Sequence, residues 1–231
     1  MEIIKCLNLS KSYGNTIALN NINLSIKKGK IIGLLGSNGS GKSTLIKLIN
    51  ELLQPTSGSI RISGKAPGID SKKGISYLPE RTYLDLSMRI KEAIEYYNDF
   101  YEGFNKEKMY KMLETMNIDS SLKLSTLSKG TKEKVQLALV MSRKADVYIL
   151  DEPIGGVDPA ARDFILEIIL KNFDENATLI IATHLIQDIE YILDEVIFLS
   201  QGNLILHEPS DDLRNKHNKS IDAIFREEFR C

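Results

Sequence analysis

One stretch limits what this chain can fold into more than any other: K-I-I-G-L-L-G-S-N-G-S-G-K-S-T-L-I-K-L-I-N, residues 30–50. It reads as an apolar strand from Ile31 to Leu35, a glycine-rich turn, and an apolar helix beginning near Lys42. Within it, Gly36-x-x-x-x-Gly41-Lys42-Ser43 has the spacing of a phosphate-binding loop, the P-loop. Glycines let successive backbone N–H groups turn inward as a nest for phosphate oxygens. The helix start adds unpaired N–H groups and a partial positive charge aimed at the same oxygens. Lys42 supplies a full charge for β- and γ-phosphates, and Ser43 a hydroxyl ligand for Mg²⁺. A glycine- and serine-rich loop can end in Gly-Lys-Ser by chance. Here the required strand precedes the loop and the required helix follows it.

The rest of the chain supplies matching parts. Val147 to Leu150 is a second buried strand, ending in Asp151-Glu152-Pro153. Thr178 to Ala182 is a third, ending at Thr183-His184. Shorter strands are expected at Ser59–Ser63 and Ile75–Leu78, the latter ending at Pro79-Glu80, and a hairpin at 195–206 across Gln201-Gly202. Helices are expected from Lys132 to Arg143, after Asp158-Pro159 with Asp158 as N-cap, and from about Leu185 to Leu193. Strands alternating with helices imply an α/β fold with a mostly parallel sheet. Residues 1–35 read as patchy strands with Asn20-Asn21 as a turn and Tyr13 in a loop. Together these predict a P-loop core, an N-terminal antiparallel β subdomain, and an α-helical subdomain inserted at about 84–135. That insert carries an aromatic and methionine run from Tyr96 to Met116, read as core and interface rather than a cofactor box, with Tyr96 to Phe104 rich enough to suggest partner contact. A tail from 208 to 231 ends in a short amphipathic piece (Ile221, Ile224, Phe225, Phe229).

Ligands of an open parallel sheet collect at the carboxyl ends of its strands, so Asp151 and Glu152 are expected to face the loop at Gly36. The Asp suits Mg²⁺; the neighbouring Glu suits an attacking water. His184 is either a satisfied structural histidine or a γ-phosphate contact from the same rim. Leu127-Ser128-Lys129-Gly130-Thr131 is either a helix N-cap or a second anion site built from a hydroxyl and backbone N–H groups. One nucleotide rarely needs two such sites. A head-to-tail pair of chains does, because each then closes the other's site.

Composition narrows the classes. With 231 residues, 42% hydrophobic and 26% charged, the chain suits one large domain. A net charge of −1 gives no support for a nucleic-acid partner. Two cysteines, Cys6 and Cys231, make no disulfide framework and suggest a reducing compartment. The start M-E-I-I-K-C-L lacks the regions of a signal peptide, and no run approaches a membrane span. A role at a membrane would need a partner chain.

Taken together, Tyr13, G-S-N-G-S-G-K-S-T, Y-L-P-E, L-S-K-G-T, Y-I-L-D-E-P, G-G-V-D-P and A-T-H-L, in this order, resemble the nucleotide-binding subunit of an ATP-binding cassette transporter. The resemblance covers roughly residues 1 to 207. It implies ATP and Mg²⁺ as ligands and a dimer of cassettes. It implies transmembrane permease subunits as partners and a place on the cytoplasmic face of the membrane. By position it implies Tyr13 stacking on adenine. Gly36, Ser37, Asn38, Gly39, Ser40, Gly41, Lys42, Ser43 and Thr44 would hold phosphates. Ser43, Asp151 and Glu80 would serve Mg²⁺, Glu152 would be the catalytic base, and His184 the switch. Ser128 and Gly130 would contact the opposite subunit's γ-phosphate, with Asp158 at the dimer interface. The region from Glu80 to Phe104 would dock onto the permease.

Departures are Glu80 for the usual Gln, Lys129 for Gly, Thr131 for Gln, and Glu133-Lys134-Val135 where a Gln-Arg pair is usual. Y-L-P-E, S-K-G-T and G-G-V-D-P resemble the branch exporting antibiotics and antimicrobial peptides, which includes bacteriocin-immunity and phenol-soluble-modulin exporter ATPases. An importer or lipoprotein-release ATPase, a soluble cassette acting on DNA or ribosomes, and a binding-only immunity protein are the competing readings.

Overall fold

The computed structural model describes residues 1–229, apart from the side chain of Ala160; Cys231 lies outside the described residues. Three strands, β1 (Glu2–Tyr13), β2 (Thr16–Lys27) and β4 (Ser57–Ile62), form an antiparallel sheet in the order β2-β1-β4. Six others, β3 (Ile31–Leu35), β5 (Ile75–Leu78), β6 (Val147–Asp151), β7 (Thr178–Thr183), β8 (Glu195–Ser200) and β9 (Asn203–Pro209), form the main sheet. Its order is β5-β6-β7-β3-β8-β9, parallel except for the β8–β9 hairpin. The fold is the α/β arrangement expected from the alternating pattern.

Why the central strands are apolar without interruption follows from their side chains. Successive residues of a strand face opposite sides, so a strand buried on both faces needs apolar residues throughout. Val147, Ile149, Ile180, Ala182 and Ile197 join one hydrophobic cluster with the antiparallel sheet and α1 (Lys42–Ile49). Tyr148, Leu150, Leu179, Ile181 and Phe198 join the other. That second cluster continues into α3 (Ile90–Phe100), α4 (Lys106–Thr115), α5 (Lys129–Met141) and α6 (Pro159–Asn172). Tyr97, Met109 and Met112 are buried in it, whereas Tyr96 and Phe100 stack with centroids 4.4 Å apart and stay exposed. The aromatic run is thus both core and surface. The chain also forms α2 (Ile69–Lys73) and α7 (Ile186–Ile189), and ends in α8 (Ser210–His217) and α9 (Ile221–Glu228).

Three expectations need correction. Asn20-Asn21 is no turn: β2 runs through it, and the reversal is at Gly14, with Tyr13 paired to Thr16 at the end of β1 rather than in a loop. Asn21 has φ 50° within a strand whose register shifts beside it. Asparagine tolerates that left-handed backbone, which serves a bulge as well as a turn. The helix expected at Lys132 starts at Lys129, because the Ser128 hydroxyl accepts from Thr131 N at 3.1 Å and caps it. The helix expected over 185–193 is only four residues long, followed by a 3₁₀ turn at Glu190–Ile192. The first part of the tail forms α8.

Candidate active site

Strand order alone brings the chemistry together. The neighbours β5, β6, β7 and β3 end, in that order, just before Glu80, at Asp151, just before His184, and just before Gly36. A cleft of about 400 Å³ on this rim is lined by Asn38 to Thr44, Glu80, Asp151, Glu152 and His184. Ala18 of β2 forms its far wall. A second cleft of about 440 Å³ shares Glu80, Asp151, Glu152 and His184 and runs toward Lys129 and Glu133 of α5.

The loop itself is tightly constrained. Gly41 has φ +110°, and a Cβ there would lie 2.7 Å from Ala18 O. A Cβ at Gly36 would meet Leu199 O at 2.5 Å. Lys42 is buried, and its Nζ donates to Gly36 O at 2.6 Å and Ser37 O at 3.2 Å. Burial lowers its pKa, partly offset by Glu152, Asp151 and Glu80. Ser40 Oγ is buried with no hydrogen-bond partner. The loop as a whole, with Gly39 and Gly41 at positive φ and the Lys42 ammonium drawn in beneath it, fits phosphate oxygens.

The carboxylates are strained by one another. Asp151 has its pKa raised to about 6, first by burial, then by Glu152 and Glu80; the Ser43 hydroxyl and Lys42 pull the other way. Glu152 sits at φ +52°, rare for a residue with a side chain. Both its oxygens are engaged: Thr183 Oγ1 donates to Oε2 at 2.8 Å, and His184 Nδ1 lies 2.9 Å from Oε1. Thr183 also accepts from Leu185 N at 3.0 Å. Sequence reasoning missed Thr183, although a hydroxyl beside a rim histidine was there to be read.

His184 therefore meets Glu152 before any phosphate. Against a carboxylate, Nδ1 carries the hydrogen, so the neutral ring presents Nε2 as an acceptor.

Tyr13, Ser128, Gly130 and Asp158 are not brought to the P-loop cleft. Tyr13 is exposed, with Lys11 Nζ 5.3 Å from its ring centre. Ser128 caps α5, and a Cβ added at Gly130 would meet nothing within 4 Å. Asp158 caps α6 through Ala161 N at 3.1 Å. Lys129, at the start of α5, has a side chain 82% exposed.

Ser43, Asp151 and Glu80 are hard oxygen donors, which fits Mg²⁺. Among the described residues no three His, Cys, Asp or Glu converge as a metal cage.

Comparison with known proteins agrees with this geometry. The ABC transporter family pattern matches residues 19–155. The chain is 30% identical over 215 residues to the lantibiotic transport ATP-binding protein SrtF of Streptococcus pyogenes, covering 92% of this chain and 93% of that one. It is 29% identical over 235 residues to the SkfA peptide export ATP-binding protein SkfE of Bacillus subtilis (strain 168), covering 98% of each. It is 28% identical to the nucleoside import ATP-binding protein NupA of Lactococcus lactis subsp. cremoris, covering 95% of this chain and 45% of that one. Among solved structures, the ATP binding subunit of an ABC transporter matches with TM-score 0.87 at 25% identity, over 97% of this chain and 98% of that one.

Proposed function

Because this chain belongs to the ABC transporter family, as an ATP-hydrolysing cassette of a transporter, we propose that it powers export of a peptide or peptide-like antibiotic. The observation that carries the hydrolytic reading is Glu152. Its two oxygens are fixed by Thr183 and His184 beside Asp151 and the P-loop, at the rim where a γ-phosphate would end. Export is supported by near end-to-end similarity to SkfE and SrtF, whose names state peptide export and lantibiotic transport. NupA, named for import, is nearly as similar but matched over less than half its length.

In this reading the P-loop N–H groups and Lys42 hold the β- and γ-phosphates, and Lys42 exchanges its loop carbonyls for phosphate oxygens. Glu152 orients a water in line with the γ-phosphate and takes its proton. His184, held against Glu152 through Nδ1, turns its other ring nitrogen toward the γ-phosphate. Ser43 and Asp151, with Glu80 nearby, would hold Mg²⁺, which when bound would neutralise phosphate charge. Tyr13 offers an exposed ring for adenine stacking. Ser128 and Gly130, open to solvent and away from their own P-loop, meet the ATP of a second cassette, with Asp158 beside that contact. None of the described helices is long and apolar enough to cross a membrane. In this reading permease subunits hold the cassette at the cytoplasmic face, and the exposed Tyr96–Phe100 stack with Tyr83 offers them an aromatic surface.

The test is genetic. In its host, Glu152→Gln should raise susceptibility to added peptide antibiotics without slowing growth on minimal nutrients. A nutrient-uptake defect with unchanged susceptibility would instead support import.

A further inference from the structure

We propose that Arg162 is a positioning residue that locks the turn following Glu152 to the helix following His184, and so keeps that pair in register. The inference rests on the reading of Glu152 as the base. The two segments are anchored by Ile154 and by Ile186 and Ile189 in the core but make few backbone hydrogen bonds of their own. From Glu152 to Val157 the chain makes two turn bonds, Gly155 N to Glu152 O at 3.0 Å and Val157 N to Ile154 O at 3.5 Å, with φ positive at Glu152 and Gly156. After His184, α7 is four residues long, too short to hold itself.

Arg162 spans the gap between them. Its Nε donates to Val157 O at 3.2 Å, the end of the first segment. Its Nη1 donates to Asp188 Oδ2 at 2.7 Å, in α7. The Arg162 and Asp188 side chains are 22% and 31% exposed, so the pair is sheltered. On its other side α7 is anchored to the tail: Gln187 Nε2 donates to Asp222 Oδ2 at 3.0 Å, and Asp222 N donates to the Glu190 carboxylate at 3.1 Å. Asp188 is thus the link from α7 back toward the Glu152 turn. A cation in the first turn of α6 opposes that helix's own dipole, so its placement is not explained by α6. The planar guanidinium reaches two acceptors at fixed angles; a lysine ammonium at the same place reaches one well. The consequence is that the 2.9 Å contact between His184 Nδ1 and Glu152 is set by more than the β6–β7 pairing beneath it.

The test is steady-state ATP hydrolysis by the purified full chain, with Arg162→Met, Arg162→Lys, Asp188→Asn and Glu152→Gln measured in parallel. A base of loosened aim costs turnover but not binding, so Arg162→Met should lower kcat by about tenfold or more with KM for ATP within about twofold. Arg162→Lys should recover part of the rate, and Asp188→Asn should lose about threefold. Wild-type kcat in Arg162→Met overturns the proposal. So does a joint change in kcat and KM that Arg162→Lys does not relieve, the mark of a merely structural role. Should Arg162→Met fail to fold, the kcat and KM of Arg162→Lys and Asp188→Asn decide. A Glu152→Gln protein at wild-type rate would sink the base assignment itself; an inactive Glu152→Gln beside a fully active Arg162→Met would sink only the role of Arg162.

Discussion

The P-loop rim and the N-terminus of α5 are both phosphate-type sites by sequence, yet they are built in opposite ways. The rim is crowded and unsatisfied. Ser40 Oγ is buried without a partner, Lys42 is buried against its own loop, and burial and neighbouring acids push Asp151 up to about 6. The start of α5 is open and self-satisfied. Ser128 bonds Thr131 N and its hydroxyl, Lys129 points into solvent, and Gly130 has space around it. A site that must hold phosphate within one chain carries its frustration before the ligand arrives. On the proposed reading the second site meets phosphate only across an interface, and its self-satisfied state suits a surface that waits in water.

The same substitution should therefore behave differently in the two places. Gly41→Ala puts a side chain on a positive-φ residue, 2.7 Å from Ala18 O. The strain and overpacking cost about 3 kcal/mol. Gly130→Ala meets no neighbour and lies within a helix, where alanine is favoured by about 0.5–1 kcal/mol. Urea unfolding of the two variants separates them: a large loss for Gly41→Ala, none for Gly130→Ala. Equal losses would break the contrast.

How far the sequence was legible follows the same physics. The strands β3 and β5 end at Leu35 and Leu78 as expected, and β6 runs one residue past its apolar run, to Asp151, because buried strands leave little ambiguity of period. Asp151 and Glu152 were legible because a polar pair closing such a run has nowhere else to be. Asn20-Asn21 misled because a bulge and a turn ask the same backbone of asparagine. Thr183 and Arg162 act through partners 31 and 26 residues distant, which no local pattern announces. That His184 is already engaged by Glu152 depends on how two strand ends abut, a matter of tertiary register.

The frustration of the rim should also be visible as a pH effect on nucleotide-free, Mg²⁺-free protein. The Asp151 carboxyl titrates near pH 6 in the fold against an ordinary 3.8, so the folded state prefers it protonated. Below about pH 4 it is protonated folded and unfolded alike, and costs nothing. Between pH 4 and 6 the unfolded chain ionises first, and above pH 6 the penalty is complete. Asp151→Asn carries no such charge. It should be more stable than wild type by about 2 kcal/mol at pH 8 and indistinguishable at pH 4. Thermal melts at both pH values check this; a stability gain independent of pH would show that packing, not charge, is the source.

The smallest effect discriminates between the two serines. Ser128 Oγ accepts from Thr131 N, so Ser128→Ala removes an N-cap and should cost about 1 kcal/mol. Ser40 Oγ has no partner while buried, so Ser40→Ala deletes an unmet polar group and should be neutral or slightly stabilising without nucleotide. Nucleotide binding should reverse the order: Ser40→Ala weakens ATP affinity in the single chain, and Ser128→Ala leaves it unchanged. Chemical denaturation and titration with a fluorescent ATP analogue at protein concentrations too low to dimerise read both halves. Weakened single-chain affinity in Ser128→Ala would mean that α5 serves the P-loop of its own chain, and the division between a built-in and a borrowed phosphate site would fall.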